Sequence, residues 1–284
     1  MIRYQFMRFP GGRPKAFTLS YDDDVASNVR FADTISSYGL KCTFNLNLPS
    51  TPQLPEKDIR EHIVEAGHEI AVHGKYHRAE GSQRPVDAIR DVLDCRLGLE
   101  KTFGRIVRGM AYPDTGIRIL NRAMSYERIK SYLTDLDIAY ARSLGGDNDR
   151  FELPLDFHAW MPNAHHDDPE IFSLIDKFLA LDFSENTYQA TLHPRLLYIW
   201  GHSYEFDRKN NWEHLDRICE KIAHRDDIWY ATNGEIYDYV KAYESLVWSA
   251  DGTMVYNPTL FELFFVIDRK PYCVKPGETL VIEA

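Results

Sequence analysis

The stretch AFTLSYDDD, residues 16–24, decides the predicted fold, because an apolar, β-rich run ends there directly in three acids. Similar apolar runs recur along the chain, and helix-like segments of roughly 10–15 residues separate them. Strands and helices that alternate in this way predict parallel β-α-β units. About seven or eight such units predict a barrel or a doubly wound sheet, and the polar residues at the strand ends favour the barrel.

The two kinds of segment can be placed along the whole chain. The predicted strands lie at residues 16–21, 42–46, 68–73, 106–112, 138–143, 196–203 and 228–231. The predicted helices lie at residues 25–38, 56–66, 86–103, 117–135, 169–181, 212–223 and 234–246. After residue 246 the pattern changes, because Asp251-Gly252 is a hairpin signal and residues 260–267 and 280–282 look like strands. We therefore expect an α/β barrel at residues 1–245 and a small antiparallel β extension at residues 246–284.

Composition and charge exclude several classes of protein. Of the 284 residues, 44% are hydrophobic and 27% are charged, which is ordinary for a globular protein and excludes collagen, coiled coil and disorder. The formal net charge of −10 would repel a phosphate backbone, so nucleic acid is not an expected partner. No run approaches the ~20 apolar residues of a membrane helix, and no secretory signal is visible. The four cysteines lie far apart, which predicts free thiols and a cytoplasmic location. The oligomeric state stays open.

The three acids after the first strand are the first candidate site. Adjacent carboxylates repel one another unless a cation or a proton lies between them. Asp24 is better explained as the cap of the following helix, because Asp is favoured at that position. Asp22 and Asp23 remain candidates, since the strand carries both to one rim of the fold.

Histidines follow two other predicted strands. His73 and His77 stand in HGKYH, where Gly74 permits a turn, although the H-E-x-x-H pattern of zinc proteases is absent. His202 closes the most apolar strand. An isolated histidine is more often structural than catalytic. Together, however, two imidazoles and a carboxylate make a three-ligand metal site with open positions, and a second carboxylate beside them is placed to act as a base.

Two further segments offer either function or plain structure. In RGMAYPDTG, residues 108–116, the turn at Tyr112-Pro113 presents backbone N–H groups to an anion or is a simple loop. The segment NAHH, residues 163–166, is equally compatible with substrate contact and with a loop. Trp160 and Trp200 suit the face of a sugar but suit a core as well.

At these residues the chain resembles the polysaccharide deacetylases, the NodB-homology group called carbohydrate esterase family 4. The family motif T-F-D-D-G stands here as SYDDD at 20–24, H-S/T-x-x-H as HGKYH at 73–77, and L-x-x-H as IWGH at 199–202. Asp24 replaces the usual glycine. The resemblance covers roughly residues 15–245 and implies a distorted (β/α)7-type barrel, related to the TIM barrel, to which the small C-terminal β appendage is added.

The resemblance also implies roles for individual residues. The implied metal ligands are Asp23, His73 and His77. Asp22 would be the general base, His202 the general acid, and the backbone near Tyr112 an oxyanion donor. Zinc is the expected divalent metal, with cobalt, nickel, manganese or iron as alternatives, because this ligand set discriminates poorly. The side chains expected to contact substrate are Pro113, Trp160, His166, Arg142 and Trp200.

The chain departs from the family's later motifs. The third motif is R-x-P-Y-G, but Ala111 stands two residues before Pro113. Arg108 and Arg142 are therefore the candidates for the guanidinium that holds the base. The D-x-x-D/N-W segment has a loose counterpart in DFHAW, residues 156–160.

These patterns predict a metal-dependent hydrolase that removes N-acetyl or O-acetyl groups from a carbohydrate or a related small molecule. The metal would activate a water, with Asp22 as base and His202 as acid. Three alternatives stay open. They are a hydrolase of a non-sugar linear or cyclic amide on the same fold, a non-haem Fe(II) oxygenase with a two-histidine, one-carboxylate site, and a non-catalytic carbohydrate-binding protein.

Overall fold

The computed structural model describes residues 3–47, 53–145, 149–184 and 186–282. In chain order the strands are β1 (Gln5–Arg8), β2 (Lys15–Asp22), β3 (Cys42–Leu46), β4 (Glu69–Val72), β5 (Gly109–Ala111), β6 (Tyr140–Arg142), β7 (Ala164–His165), β8 (Arg195–Gly201), β9 (Ile228–Tyr230), β10 (Val247–Trp248), β11 (Met254–Tyr256), β12 (Leu263–Ile267), β13 (Lys270–Val274) and β14 (Thr279–Val281). The helices are α1 (Ser27–Ser37), α2 (Glu56–Asp58, continued by a π-helical segment, Ile59–Val64), α3 (Pro85–Phe103), α4 (Tyr126–Asp135), α5 (Ile171–Leu179), α6 (Tyr204–Lys209), α7 (Trp212–Ile222) and α8 (Asn233–Glu244).

The main sheet is parallel and is centred on β2. Its strand order is β6-β5-β4-β3-β2-β8-β7, and β9 also pairs with β2. The first three residues of β2 pair with β9 and its last four with β3, while β8 runs along almost its whole length. Every residue of β2 is buried, but Phe17, Leu19 and Tyr21 alternate with Thr18, Ser20 and Asp22, so one face of the strand packs on the apolar core and the other is polar. The predicted distorted (β/α)7-type barrel is confirmed.

The helices cover the sheet with one apolar side each. Helix α1 buries Phe31, Ala32 and Ile35, which are spaced three and four residues apart. Helix α3 has a proline in its first turn and ends at Gly104, whose φ of 64° is left-handed. Both helices lie within two residues of their predicted bounds.

The predicted helix at residues 117–135 is wrong in its first half. Helix α4 starts at Tyr126, because the Ser125 side chain accepts the N–H of Arg128 and caps the helix there. The preceding residues form turns that are bonded to another loop, and the Asn121 N–H donates to the Gly81 carbonyl at 2.8 Å.

The C-terminal extension contributes to two three-stranded sheets. Strands β10, β11 and β14 form one of them, whereas the other contains β1 beside β12 and β13. The sequence did not predict that the first strand of the chain belongs to this extension. Barrel residues such as Tyr198 share a buried cluster with Val255 and Phe265 of the extension. The expected division at residue 245 therefore does not separate two hydrophobic cores.

The described part of the chain contains no helix that combines the length and the apolar character needed to cross a bilayer. The four cysteines are unpaired, and Cys42, Cys95 and Cys219 are buried. Burial raises the pKa of the Cys42 thiol well above its usual value, so this side chain acts as a small apolar group in the core. The cytoplasmic location stays a prediction.

The buried acid Glu80 gives a first testable prediction about the stability of the fold. Its side chain is buried, and neither carboxyl oxygen has a hydrogen-bond partner in the described ranges. Burial raises its pKa well above the usual range, and the nearby Asp91 and Asp114 carboxylates add to the rise. The folded state therefore favours the protonated acid, and stability is lost as the pH rises through the folded pKa.

We expect Glu80→Gln to raise the melting temperature by roughly 2–4 °C at pH 9 and by less at pH 5. Calorimetry at the two pH values measures the difference. The exposed substitution Glu65→Gln is the matched control and should change little at either pH. An equal effect of Glu80→Gln at both pH values would show that its carboxyl group is not destabilised by ionisation.

Candidate active site

A pocket of about 330 Å³ lies at the carboxyl ends of the central strands, where the sequence places the acids and the histidines. Its lining residues are Asp22, Asp23, His73, His77, Tyr112, Asp114, Leu144, Trp200, His202 and Tyr204. Parallel strands that end at one rim carry residues from distant parts of the chain into one cavity. Seven predicted site residues thus line it, while Pro113, Arg142, Trp160 and His166 do not.

Asp23, His73 and His77 lie close enough to share one metal ion. The Asp23 Oδ1 atom is 3.6 Å from His77 Nε2 and 3.9 Å from His73 Nε2. Potential ligand atoms of all three lie within 4.8 Å of one another. Atoms that bind one zinc at about 2.0–2.2 Å are separated by at most about 4.4 Å, so a small adjustment suffices. Three protein ligands leave coordination positions open for water or substrate.

The surroundings of His73 prepare it to be a ligand. Its Nδ1 atom lies 2.9 Å from the Ala111 carbonyl oxygen, so Nδ1–H donates there and the lone pair of Nε2 faces the pocket. Burial lowers the pKa of His73, even though the carboxylates of Asp22 and Asp23 oppose this. The ring is therefore neutral near pH 7, as a metal ligand must be.

The backbone at two of these ligands is strained and firmly held. Asp23 and His77 have left-handed φ values of 77° and 51°, which are uncommon outside glycine. The Asp23 N–H donates to the Asn45 carbonyl at 3.0 Å, and Asn28 Nδ2 donates to the Asp23 carbonyl at 2.9 Å. Gly74 forms the turn between the histidines with a φ of 68°, and a Cβ there would lie 2.9 Å from an Asp91 oxygen. These contacts hold the ligands in place.

Asp22 is a buried carboxylate with a buried counter-ion. Its Oδ1 atom accepts a hydrogen bond from Asn45 Nδ2 at 2.9 Å, and Arg142 Nη2 donates to its Oδ2. Burial raises the pKa of Asp22, but the Arg142 guanidinium outweighs it, with help from His73 and His202, so the pKa is lowered. Asp22 is therefore ionised near pH 7 and able to accept a proton.

The structure also answers which arginine holds this acid. Arg142, at the end of β6, pairs with Asp22 and stacks on the Trp200 ring, with 4.5 Å from its Cζ to the ring centroid. Arg108 instead pairs with Asp238 at the surface, 3.0 Å away. Because the Arg142 side chain is completely buried, it supports the acid rather than contacting substrate, which corrects its expected role.

His202 follows β8 and faces a carboxylate that the sequence analysis missed. Its Nδ1 atom is 3.4 Å from Glu205 Oε2, which also accepts the His202 backbone N–H at 3.2 Å. Burial lowers the pKa of His202, but Glu205 and the more distant Asp22 outweigh it, so the pKa is raised. The imidazole therefore holds a proton that it can donate. The spacing of three residues between His202 and Glu205, across the start of α6, was the signal in the sequence that could have identified this partner.

Two expectations for the loops are corrected. The Tyr112 N–H already donates to the Arg142 carbonyl at 3.0 Å, extending the pairing of β5 with β6, so it is not free to bind an oxyanion. Asp24 does not cap α1, which begins three residues later, at Ser27, without a side-chain cap. Its carboxyl group instead accepts the backbone N–H groups of Gln53 and Leu54.

Three residues expected to contact substrate are buried and do not line the pocket. Trp160 is 1% exposed and packs edge-to-face on Tyr140 and Tyr198 in the core. His166 is completely buried, and Pro113 is buried beneath the turn. Trp160 is therefore a core residue, because a tryptophan ring packs as well in a core as on a sugar.

Comparisons with known proteins bear on the family and on the fold. Residues 10–127 match the family model for polysaccharide deacetylase. The fold is similar to a putative polysaccharide deacetylase from Mycobacterium smegmatis, with 16% identity and a TM-score of 0.53 over 86% of this chain and 96% of that one. It is also similar to the Xyl-CE4 domain of a multidomain xylanase from the hindgut metagenome of Trinervitermes trinervoides, with 15% identity and a TM-score of 0.51 over 80% and 92% of the two chains.

No curated protein sequence gives a significant match. At identities this low, the structural similarity concerns the fold alone. Together with the family match, it confirms the resemblance to polysaccharide deacetylases that the motifs predicted.

Proposed function

We propose that this chain, which resembles the polysaccharide deacetylases in its motifs and its fold, is a metal-dependent hydrolase that removes N-acetyl or O-acetyl groups from a carbohydrate or a related small molecule. One observation carries the proposal. A single pocket combines three metal-ligating side chains, an ionised Asp22 held by Arg142, and a His202 whose pKa is raised.

The donor set of the pocket fits a divalent metal. Asp23, His73 and His77 would hold it, and two imidazoles with one carboxylate suit zinc, with cobalt, nickel, manganese and iron as alternatives. When bound, such an ion polarises a carbonyl group and lowers the pKa of water towards about 7.

The residues around the ligands supply the proton transfers. Asp22 accepts the proton of the attacking water, and Arg142 keeps its carboxylate ionised beforehand. His202 donates its proton to the departing amine or alkoxide. The Asp114 N–H is the candidate oxyanion donor, because Asp114 lines the pocket and its N–H makes no hydrogen bond to any described residue.

The walls of the pocket support a sugar as the substrate. The rings of Trp200 and Tyr204 line it, and Tyr76, next to His77, is 61% exposed. A second cleft of about 540 Å³ shares Asp23 and Tyr204 with the pocket and has room for neighbouring sugar units. Aromatic faces beside hydrogen-bonding groups suit a carbohydrate, although a non-sugar amide would use the same catalytic groups.

The test is a screen of the metal-loaded protein for acetate release. N-acetylglucosamine oligomers and acetylated xylan represent carbohydrates, and linear and cyclic amides represent the second candidate. We expect acetate from the carbohydrates, and its loss when a chelator removes the metal. Turnover of amides alone would favour the second candidate. Oxygen consumption with Fe(II) would indicate an oxygenase, and glycan binding without any turnover would indicate a binding protein.

Glu205 offers a separate prediction for the pH dependence. Because Glu205 helps to raise the pKa of His202, Glu205→Gln should lower it, and His202 should lose its proton at a lower pH. We expect the alkaline limb of the kcat profile to move down by about one pH unit, with the acid limb unchanged. The exposed Glu213→Gln is the control. An unmoved alkaline limb would show that Glu205 does not set the proton affinity of His202.

A further inference from the structure

A second cluster of metal-ligating side chains lies beside His202, among residues that do not line the pocket. Its members are His165, His166, Asp167 and Glu205, and potential ligand atoms of all four lie within 4.8 Å of one another. The first three belong to the end of β7 and the loop after it, and the fourth lies in the first turn of α6. The cluster thus joins Glu205 to residues that precede it by 38 positions or more in the chain.

Three atoms of this cluster have the spacing of metal ligands. His166 Nε2 lies 3.3 Å from Asp167 Oδ2 and 3.5 Å from Glu205 Oε2. Ligand atoms in a tetrahedral site, each about 2.1 Å from the ion, lie about 3.4 Å apart. The two distances from His166 therefore fit one small divalent ion, and the potential ligand atoms of Asp167 and Glu205 lie within 4.8 Å of each other.

His166 gives an independent reason to expect a ligand. The ring is completely buried, and neither ring nitrogen has a hydrogen-bond partner among the residues that the structure describes. It stacks on Phe206 at 4.3 Å and fits against Gly201, where a Cβ would lie 1.9 Å from Nδ1. An unsatisfied buried nitrogen is destabilising, and a metal on Nε2 removes that cost.

The neighbouring groups are placed as outer partners of such an ion. The Asp167 N–H donates to His165 Nδ1 at 3.2 Å, so the proton of His165 is on Nε2, which lies 3.1 Å from Glu205 Oε2. Lys209 Nζ lies 2.5 Å from Asp167 Oδ2. Each carboxylate therefore has a positive or hydrogen-bonding partner, as ligating carboxylates commonly do.

We propose that His166, Asp167 and Glu205 form a second metal site for a divalent transition metal of the zinc type, with His165 and Lys209 as outer partners. The site ties the loop after β7 to α6 and so fixes the segment that carries His202. It does not depend on the proposed deacetylase function, because it shares no ligand with Asp23, His73 and His77.

The test counts zinc bound to the full-length protein after chelator treatment, reloading with Zn²⁺ and desalting. We expect two equivalents in the wild type and one in His77→Ala. We expect no bound zinc after desalting in His77→Ala/Asp167→Asn, because its second site should bind zinc at least about 100-fold more weakly than the second site of His77→Ala. Asp168→Asn is the matched control, because Asn can still accept the Glu170 N–H at 2.8 Å, and it should retain the zinc.

A thermal measurement separates loss of the site from loss of the fold. In the His77→Ala background, Zn²⁺ should raise the melting temperature, and Asp167→Asn should remove this response without lowering the metal-free value. Lys209→Ala should still bind zinc at the second site. If the cluster were held only by ion pairs, Lys209→Ala would lower the melting temperature and no zinc would bind there.

The possible stoichiometries distinguish the two proposals. One equivalent that His77→Ala removes and Asp167→Asn leaves in place would overturn the second site and leave the proposed function intact. One equivalent that Asp167→Asn removes and His77→Ala leaves in place would support the second site and count against the catalytic metal. Equal zinc loss in Asp167→Asn and Asp168→Asn would also overturn the second site.

Discussion

Asp22→Asn is expected to lower kcat/KM for acetate release by roughly 10³-fold while the metal content stays unchanged. Asp22 is the acid that Arg142 keeps ionised, and asparagine cannot accept the proton of the attacking water. The asparagine oxygen can still accept a hydrogen bond from Arg142, but the buried guanidinium loses its counter-ion, so the variant should also be less stable and its folding is checked by circular dichroism before the kinetics. Kinetics on the best acetylated substrate and metal analysis by mass spectrometry measure both quantities.

Two further variants complete this experiment. His77→Ala removes a ligand and should lose turnover and the metal of this pocket together. Asp168→Asn changes a carboxyl group outside the pocket and should lose neither. Wild-type turnover in Asp22→Asn would contradict its role as the base, and loss of metal from that variant would identify Asp22 as a ligand.

Arg142→Met is expected to lower the free energy of unfolding by about 3–5 kcal/mol at pH 7, because it leaves the Asp22 carboxylate buried without its counter-ion. The side chains of the pair are 0% and 3% exposed, so solvent screens the charge little. The folded pKa of Asp22 is lowered, so the contribution of the pair is present above the unfolded value of about 3.9. It is lost as the pH falls through the folded value.

In Arg142→Met the buried Asp22 lacks its counter-ion and its pKa should rise, so at pH 4 the acid is protonated and no unpaired charge is buried. Urea unfolding should therefore show a larger effect of Arg142→Met at pH 7 than at pH 4. The double variant Arg142→Met/Asp22→Asn removes both charges and should regain much of the lost stability. Arg108→Met breaks an exposed ion pair and should cost less than about 1 kcal/mol. Equal costs for Arg142→Met and Arg108→Met would show that Arg142 is not the essential partner of Asp22.

The fold could be predicted where its signal is local. Strand β3 has the predicted bounds, and α3 begins one residue before its predicted start, because apolar spacing and a terminal glycine mark these elements. Helix α6 was missed, because it has six residues and buries one of them, Phe206, which is too little for a helical pattern. The partnership of β1 with β12 was missed because pairing between distant segments leaves no local signal.

The proximity of Asp23, His73 and His77 could be predicted because each follows a recognisable strand, whereas the contacts that support these side chains could not. Three strands separate β6 from β2 in the sheet, and it is the curvature of the sheet that brings Arg142 to Asp22. No spacing in the sequence distinguishes Arg142 from Arg108. The Tyr112 N–H was assigned to an oxyanion because its partner, the Arg142 carbonyl, lies on a neighbouring strand.

The pairing of β1 with β12 has a consequence for how the protein is made. The register joins Gln5 to Ile267, so β1 waits for its partner until the chain has been made as far as β12. Until then the apolar side chains of Phe6 and Met7 have no sheet to cover them, and they are sites where nascent chains can associate. Deleting the segment after residue 245 should therefore yield an aggregating product rather than a smaller enzyme.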